Sequence, residues 1–174
     1  FGNLPLDDKT HLMEETLLHH LGKTAEILVF LIGAMTIVEI VDYFNGFSVF
    51  QKIINFKTKK AILWVFSGLA FILSAIIDNL TATIVLISIL QKVVSDKNLR
   101  IWYAALIVIA ANAGGAWSPI GDVTTTMLWI GDKVSTPMLI QYLLIPSIAC
   151  AVVATGIASL LPAFKGEIKL NPVK

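Results

Sequence analysis

The chain has 174 residues, 56% of them apolar and only 14% charged, where a soluble domain carries about 25% charge. Its mean hydropathy is +0.81, and four runs are long and uncharged: Ile27–Val38, Ala61–Ile77, Ile101–Gly121 and Val134–Phe164. These features exclude an ordinary soluble enzyme, a disordered tail and a nucleic-acid-binding domain, and they define an all-α polytopic membrane protein. The net charge of +1 specifies no partner other than the lipid bilayer, and the single cysteine, Cys150, provides neither a disulfide framework nor a Cys-based metal site.

Residues 1–23 are polar, with Asp7, Asp8, Glu14 and Glu15, and lack the basic start and apolar core of a signal peptide. They read as an outward-facing segment. The membrane domain is expected over 24–164, followed by a polar cytoplasmic linker at 165–174. The first residue is Phe1 rather than Met, so the chain reads either as a piece of a longer transporter-like protein or as a small protein with a processed start.

The first span is expected at 24–44, ended by Asn45-Gly46. A second apolar block, 61–94, is interrupted by Asp78-Asn79, with Thr81 and Thr83 just after. A third, 101–130, is interrupted by the run from Asn112 to Asp122, and a last span is expected at 138–161 with Pro146 inside it. Placing loops 45–60 and 91–100 and the C-terminal tail on one side gathers ten Lys and Arg there against three on the other. The richer side is therefore cytoplasmic, and the lysine pattern points to a bacterial inner membrane, although a plastid envelope protein would look similar. Block 61–94 then begins and ends inside. It is either two short spans or a re-entrant hairpin, and the lack of Gly or Pro at 77–80 favours the hairpin. Block 101–130 crosses fully, and Gly114, Gly115, Pro119 and Gly121 make it a broken helix. Such backbone is tolerated at membrane depth only in protein or against a wet cavity.

A broken helix presents carbonyl oxygens at one half-helix end and N–H groups at the start of the next. Hydroxyls, amide oxygens and carboxylates complete an all-oxygen shell suited to Na⁺ or Li⁺ rather than a transition metal. The candidate cation- and proton-binding residues are Asp78, Asn79, Thr81, Asn112, Ser118, Asp122, Thr124 and Thr125. A carboxylate at depth is costly unless it is paired or holds a cation or proton. Asp122 also fits an N-cap for a helix starting at Val123, a role compatible with ion binding, and Asp78 also fits a surface-exposed hairpin tip. Glu39 and Asp42 share a helix face and are candidate proton relays, Asp42 also fitting the headgroup interface. No metal beyond the transported Na⁺ and no cofactor is expected. Trp64, Trp102 and Trp129 read as interfacial anchors, whereas Trp117 lies inside the Gly-rich interruption.

Four stretches, 18–22 (LHHLG), 33–39 (GAMTIVE), 78–83 (DNLTAT) and 112–125 (NAGGAWSPIGDVTT), resemble the NhaD-type sodium/proton antiporters of the ion transporter superfamily, which also holds arsenite permeases and dicarboxylate and citrate carriers. The resemblance covers about residues 17–145, and its last motif is the most specific. It implies two inverted repeats, each with a re-entrant hairpin and a broken helix, together with homodimers and elevator-like motion. This chain would be the first repeat, about half the carrier, with the second inverted repeat as its partner. It also implies a non-enzymatic Na⁺(Li⁺)/H⁺ exchanger. An arsenite or dicarboxylate substrate is the alternative, although Asp78 and Asp122 would repel an anion. An intramembrane aspartyl protease needs Gly-x-Gly-Asp, whereas Pro119-Ile120-Gly121 precedes Asp122, and His11, His19 and His20 all precede the first span, which leaves no Ser–His pair.

Overall fold

The structure, a computed structural model, describes residues 6–44, 46 and 56–168. Asn45, Lys52 and residues 169–174 of the expected linker lie outside the described residues. Among the described residues there are six α-helices, a 3-10 turn and no extended strand: α1 (Leu6–Tyr43), α2 (Lys59–Ile77), α3 (Asn79–Val93), α4 (Lys97–Ala116), α5 (Val123–Ile130) and α6 (Thr136–Leu160), with the turn at Pro162–Phe164.

The polar N-terminal stretch and the first apolar span form one helix. At 38 residues, α1 is about 57 Å long, well beyond the roughly 30 Å of a bilayer core. Its threonines stay helical by bonding back one turn: Thr24 Oγ1 donates to His20 O at 2.9 Å and Thr36 Oγ1 to Ile32 O at 2.6 Å. Val38 is its one buried apolar residue among those described, and α1 packs on α5.

The remaining helices begin at polar caps. Thr58 Oγ1 accepts from Ala61 N–H, and Asp96 Oδ1 accepts from Asn98 N–H and Leu99 N–H, which defines the starts of α2 and α4. Helix α6 follows Ser135, carries Pro137 in its first turn and runs on through Pro146. Helices α2, α3, α4 and α6 pack around a core that includes Ile62, Phe66, Leu86, Leu90, Tyr103 and Ile107.

Four contacts set the topology. Tyr103 Oη donates to Lys59 O at 2.8 Å, at the starts of α4 and α2, and Ser74 Oγ donates to Ala111 O near their ends. Helices α2 and α4 therefore run side by side in one direction, and their interruptions fall at the same level. Phe164 seats its ring on Tyr103, and Thr58 and Glu167 form an antiparallel bridge. The segment before α2 and the segment after α6 therefore meet at one end of the bundle.

The outer surface is apolar. Val29, Ile32, Ile145 and Ile157 are each more than 60% exposed, a pattern that costs free energy in water and none in hydrocarbon. Four helices are long and apolar enough to cross a membrane. Cys150 lies on the exposed face of α6.

Close backbone contact between α2 and α4 depends on glycine. A Cβ at Gly114 would run into the Phe71 backbone, whereas one at Gly68 meets nothing within 4 Å. Gly114→Ala should therefore cost about 1–3 kcal/mol by overpacking, read as a lowered unfolding midpoint in detergent. Gly68→Ala in the same helix pair should cost nothing.

Candidate functional site

The two interruptions meet. At the first, α2 ends and α3 begins on a single residue, Asp78, with φ 97° and ψ 156°. That region is essentially glycine's, and a side chain there costs about 1–3 kcal/mol. Asp78 offsets part of this cost by capping α3: its Oδ1 accepts from Thr81 N–H at 2.8 Å and its Oδ2 from Thr81 Oγ1 at 2.6 Å. Its own N–H donates to Ser74 O and closes α2.

At the second interruption, α4 ends at Ala116 and the chain turns through Trp117–Gly121 before Asp122 starts α5. Asp122 Oδ1 accepts from Thr124 N–H at 2.8 Å and from Thr124 Oγ1 at 2.5 Å. Thr125 Oγ1 lies 2.9 Å from both Ser118 O and Asp122 O, and Thr126 Oγ1 reaches Pro119 O and Asp122 O. These hydroxyls knit the turn to the first turn of α5.

Asn79 joins the two. Its Nδ2 donates to Asn112 Oδ1 at 3.0 Å and to Asp122 Oδ2 at 2.6 Å, while Asn112 donates back to Val108 O. Three polar side chains from three helix ends thus converge, two of them through oxygen. Asp78 and Asp122 both lie at helix N-termini, where the macrodipole favours negative charge, and the C-terminal ends of α2 and α4 reach the same level. Among the described residues no three His, Cys, Asp or Glu side chains gather. The donor set is therefore amide, hydroxyl, carbonyl and carboxylate.

Of the residues expected from sequence, Asn79, Asn112, Asp122 and Thr124 form one hydrogen-bonded network. Ser118 and Thr125 are buried beside it and serve its backbone. Asp78 and Thr81 form a separate pair. Asp78 borders a cleft of about 400 Å³ between α1 and the bundle, lined also by Ala34, Val38, Ile120 and Thr126. Glu39 stands apart from both, in a shallow concavity with Met35, Thr36 and Ile40. Asp42 lies in the last turn of α1, and its side chain is outside the described residues. Sequence reasoning missed Ser74, which is fully buried. Its signal was available: Ser67 and Ser74 stand seven apart in an otherwise apolar arm. Thr126, which the sequence offers with its threonine run as an oxygen-bearing group of the second interruption, is 1% exposed and bonds only backbone carbonyls.

An all-helical bundle with apolar outer faces and polar, mutually bonded helix breaks is an integral membrane protein. The family model CitMHS, described as citrate transporter, matches residues 14–174, and the chain belongs to that family. It is 46% identical over 149 residues to sodium/proton antiporter 1 of Arabidopsis thaliana, covering 86% of this chain and 26% of that protein. It is 44% identical over 148 residues to sodium/proton antiporter 2 of the same plant, covering 85% and 35%. To the Na⁺/H⁺ antiporter NhaD of Vibrio cholerae it is 36% identical over 157 residues, covering 87% and 32%. The chain thus spans about a quarter to a third of the length of these curated relatives. No solved structure matches it significantly.

The strained break is testable. Asp78→Gly and Asp78→Ala both lose the cap, but only alanine keeps the side-chain strain at positive φ. Asp78→Ala should unfold more easily than Asp78→Gly by about 1–2 kcal/mol, measured by denaturant titration in detergent.

Proposed function

We propose that the carrier to which this chain contributes exchanges Na⁺ or Li⁺ for H⁺ across the membrane by alternating access. The carrying observation is the Asn79 amide held between Asn112 Oδ1 and Asp122 Oδ2, at 3.0 and 2.6 Å. An N–H donor bridging two oxygens occupies a position where a small hard cation would bind the same two atoms. On this reading, Na⁺ displaces the amide bridge, and Ser118, Thr124, Thr125 and nearby free carbonyls supply further oxygens. Asp78 with Thr81 forms the neighbouring half-shell at the cleft. Protons compete with Na⁺ for the carboxylates, so each is exchanged for the other. Glu39 and Asp42 are proposed as relays toward the cytoplasm. The names of the relatives, sodium/proton antiporters, support this choice of solute.

In the proposed arrangement α2 and α3 enter and leave the membrane from the cytoplasmic side. Helix α3, with 15 residues, is about 22 Å long, short for a full crossing, which supports the re-entrant reading. A second inverted repeat would complete the site, and two carriers would pair as a homodimer in a plasma membrane of bacterial type. On this reading the complete carrier moves the ion, this chain alone does not, and no resident metal or cofactor is proposed.

The family's description, citrate transporter, favours a second reading in which the solute is a carboxylate. The two aspartates at the helix breaks weigh against it, since a like charge is repelled in a low-dielectric site.

The deciding measurement is collapse of a preformed ΔpH by Na⁺ and Li⁺ in inverted vesicles holding the full-length carrier. Wild type should respond to both ions. Asp122→Asn should raise the half-saturating Na⁺ concentration at least tenfold or abolish the response, and Asp78→Asn should do likewise. A wild type silent to both cations but active with citrate would establish the second reading.

A further inference from the structure

Ser74 is fully buried, yet it belongs to neither carboxylate network. Its Oγ donates across the helix pair to Ala111 O at 2.5 Å, beside Asn112. Ser118 reaches the opposite way, its Oγ donating to Ala75 O at 2.7 Å, three residues before Asp78. Each interruption thus sends one hydroxyl to the backbone of the other. The spacing is enforced by glycine: a Cβ at Gly121 would lie 2.8 Å from Ser74 O, and one at Gly115 would lie 3.1 Å from Ser74 Oγ.

The two bonds do different work. Ala75 is in the last turn of α2, where carbonyls have no helical partner, so Ser118 satisfies an orphan acceptor. Ala111 lies inside α4, where a helical N–H already serves its carbonyl. The Ser74 bond is therefore not needed for satisfaction, and what it adds is registration between α2 and α4. We infer that Ser74 is a positioning residue: with Ser118 it forms a reciprocal clamp that holds Asn79 in register with Asn112 and Asp122, so the two helix breaks bind a cation as one rigid unit. This rests on the cation-exchange reading above. A site held by preorganised neighbours loses affinity when its supporting bonds go, whereas removing a packing group lowers stability or the amount of folded protein.

The test compares Ser74→Ala with Ser67→Ala in the full-length carrier. Ser67 is 4% exposed on the same helix, and its hydroxyl has no partner among the described residues. Na⁺-driven exchange is titrated in vesicles containing equal amounts of folded carrier. Ser74→Ala should raise the half-saturating Na⁺ concentration about tenfold, equivalent to about 1.4 kcal/mol, with the maximal rate within twofold of wild type. Ser67→Ala should leave both constants unchanged. The clamp is overturned if Ser74→Ala leaves half-saturation unchanged, lowers only the maximal rate or the folded amount, or is matched by Ser67→Ala. If the wild type moves a carboxylate and no Na⁺, the exchange reading fails, and the clamp is judged by the same criteria on half-saturation for that carboxylate.

Discussion

Everything at the site depends on how closely α2 and α4 approach. Gly114 lets α4 pack against the Phe71 backbone, and Gly115 and Gly121 press on each other's backbone while Gly121 lies against the Ser74 carbonyl. At that separation a serine can reach a carbonyl on the facing chain, and an asparagine can touch an amide and a carboxylate at once. One methyl group in the contact would separate the polar atoms beyond hydrogen-bond distance, because a packed interior transmits even small volume changes. The glycines of the second interruption therefore do more than break a helix: they set how near the first interruption can come.

The membrane supplies the second constraint. Backbone freed from helix at the two breaks must find new partners, because an unpaired N–H or C=O is costly away from water. The structure answers with side chains acting as caps: Asp78 for α3, Asp122 for α5, and Ser118 for the end of α2. The same groups that solve the capping problem gather oxygen atoms at one level between helix ends. The caps and the proposed cation ligands thus share the same oxygens, so the cap at Asp122 does not compete with its proposed role.

Much of this was legible in the chain. Polar residues inside apolar blocks announced a break at Asp78, where α2 ends, and one over 112–122, where α4 instead runs on through Gly114 and Gly115 to Ala116 before the chain turns. Asp122 read as the cap of a helix starting at Val123 and is one. The polar stretch before residue 24 was less legible. It reads as a separate segment by composition, yet it continues α1, because nothing between Leu6 and Thr24 stops a helix already propagating. The role of Ser74 was invisible for a different reason. Its spacing of seven from Ser67 marks a shared helix face, but its partner, Ala111 O, is 37 residues away, and no local pattern names that partner.

By itself the sequence determined the class, the breaks and the chemistry available at them, because hydropathy, helix-breaking glycines and capping carboxylates act within a few residues. The tertiary structure decided which of those groups meet. Asn79 reaches Asn112 and Asp122, Asp78 turns to Thr81 and the cleft beside α1, and Glu39 faces elsewhere. Those choices depend on the register between α2 and α4, a long-range packing property set where Gly114 and Gly121 meet the α2 backbone, and no local pattern encodes it.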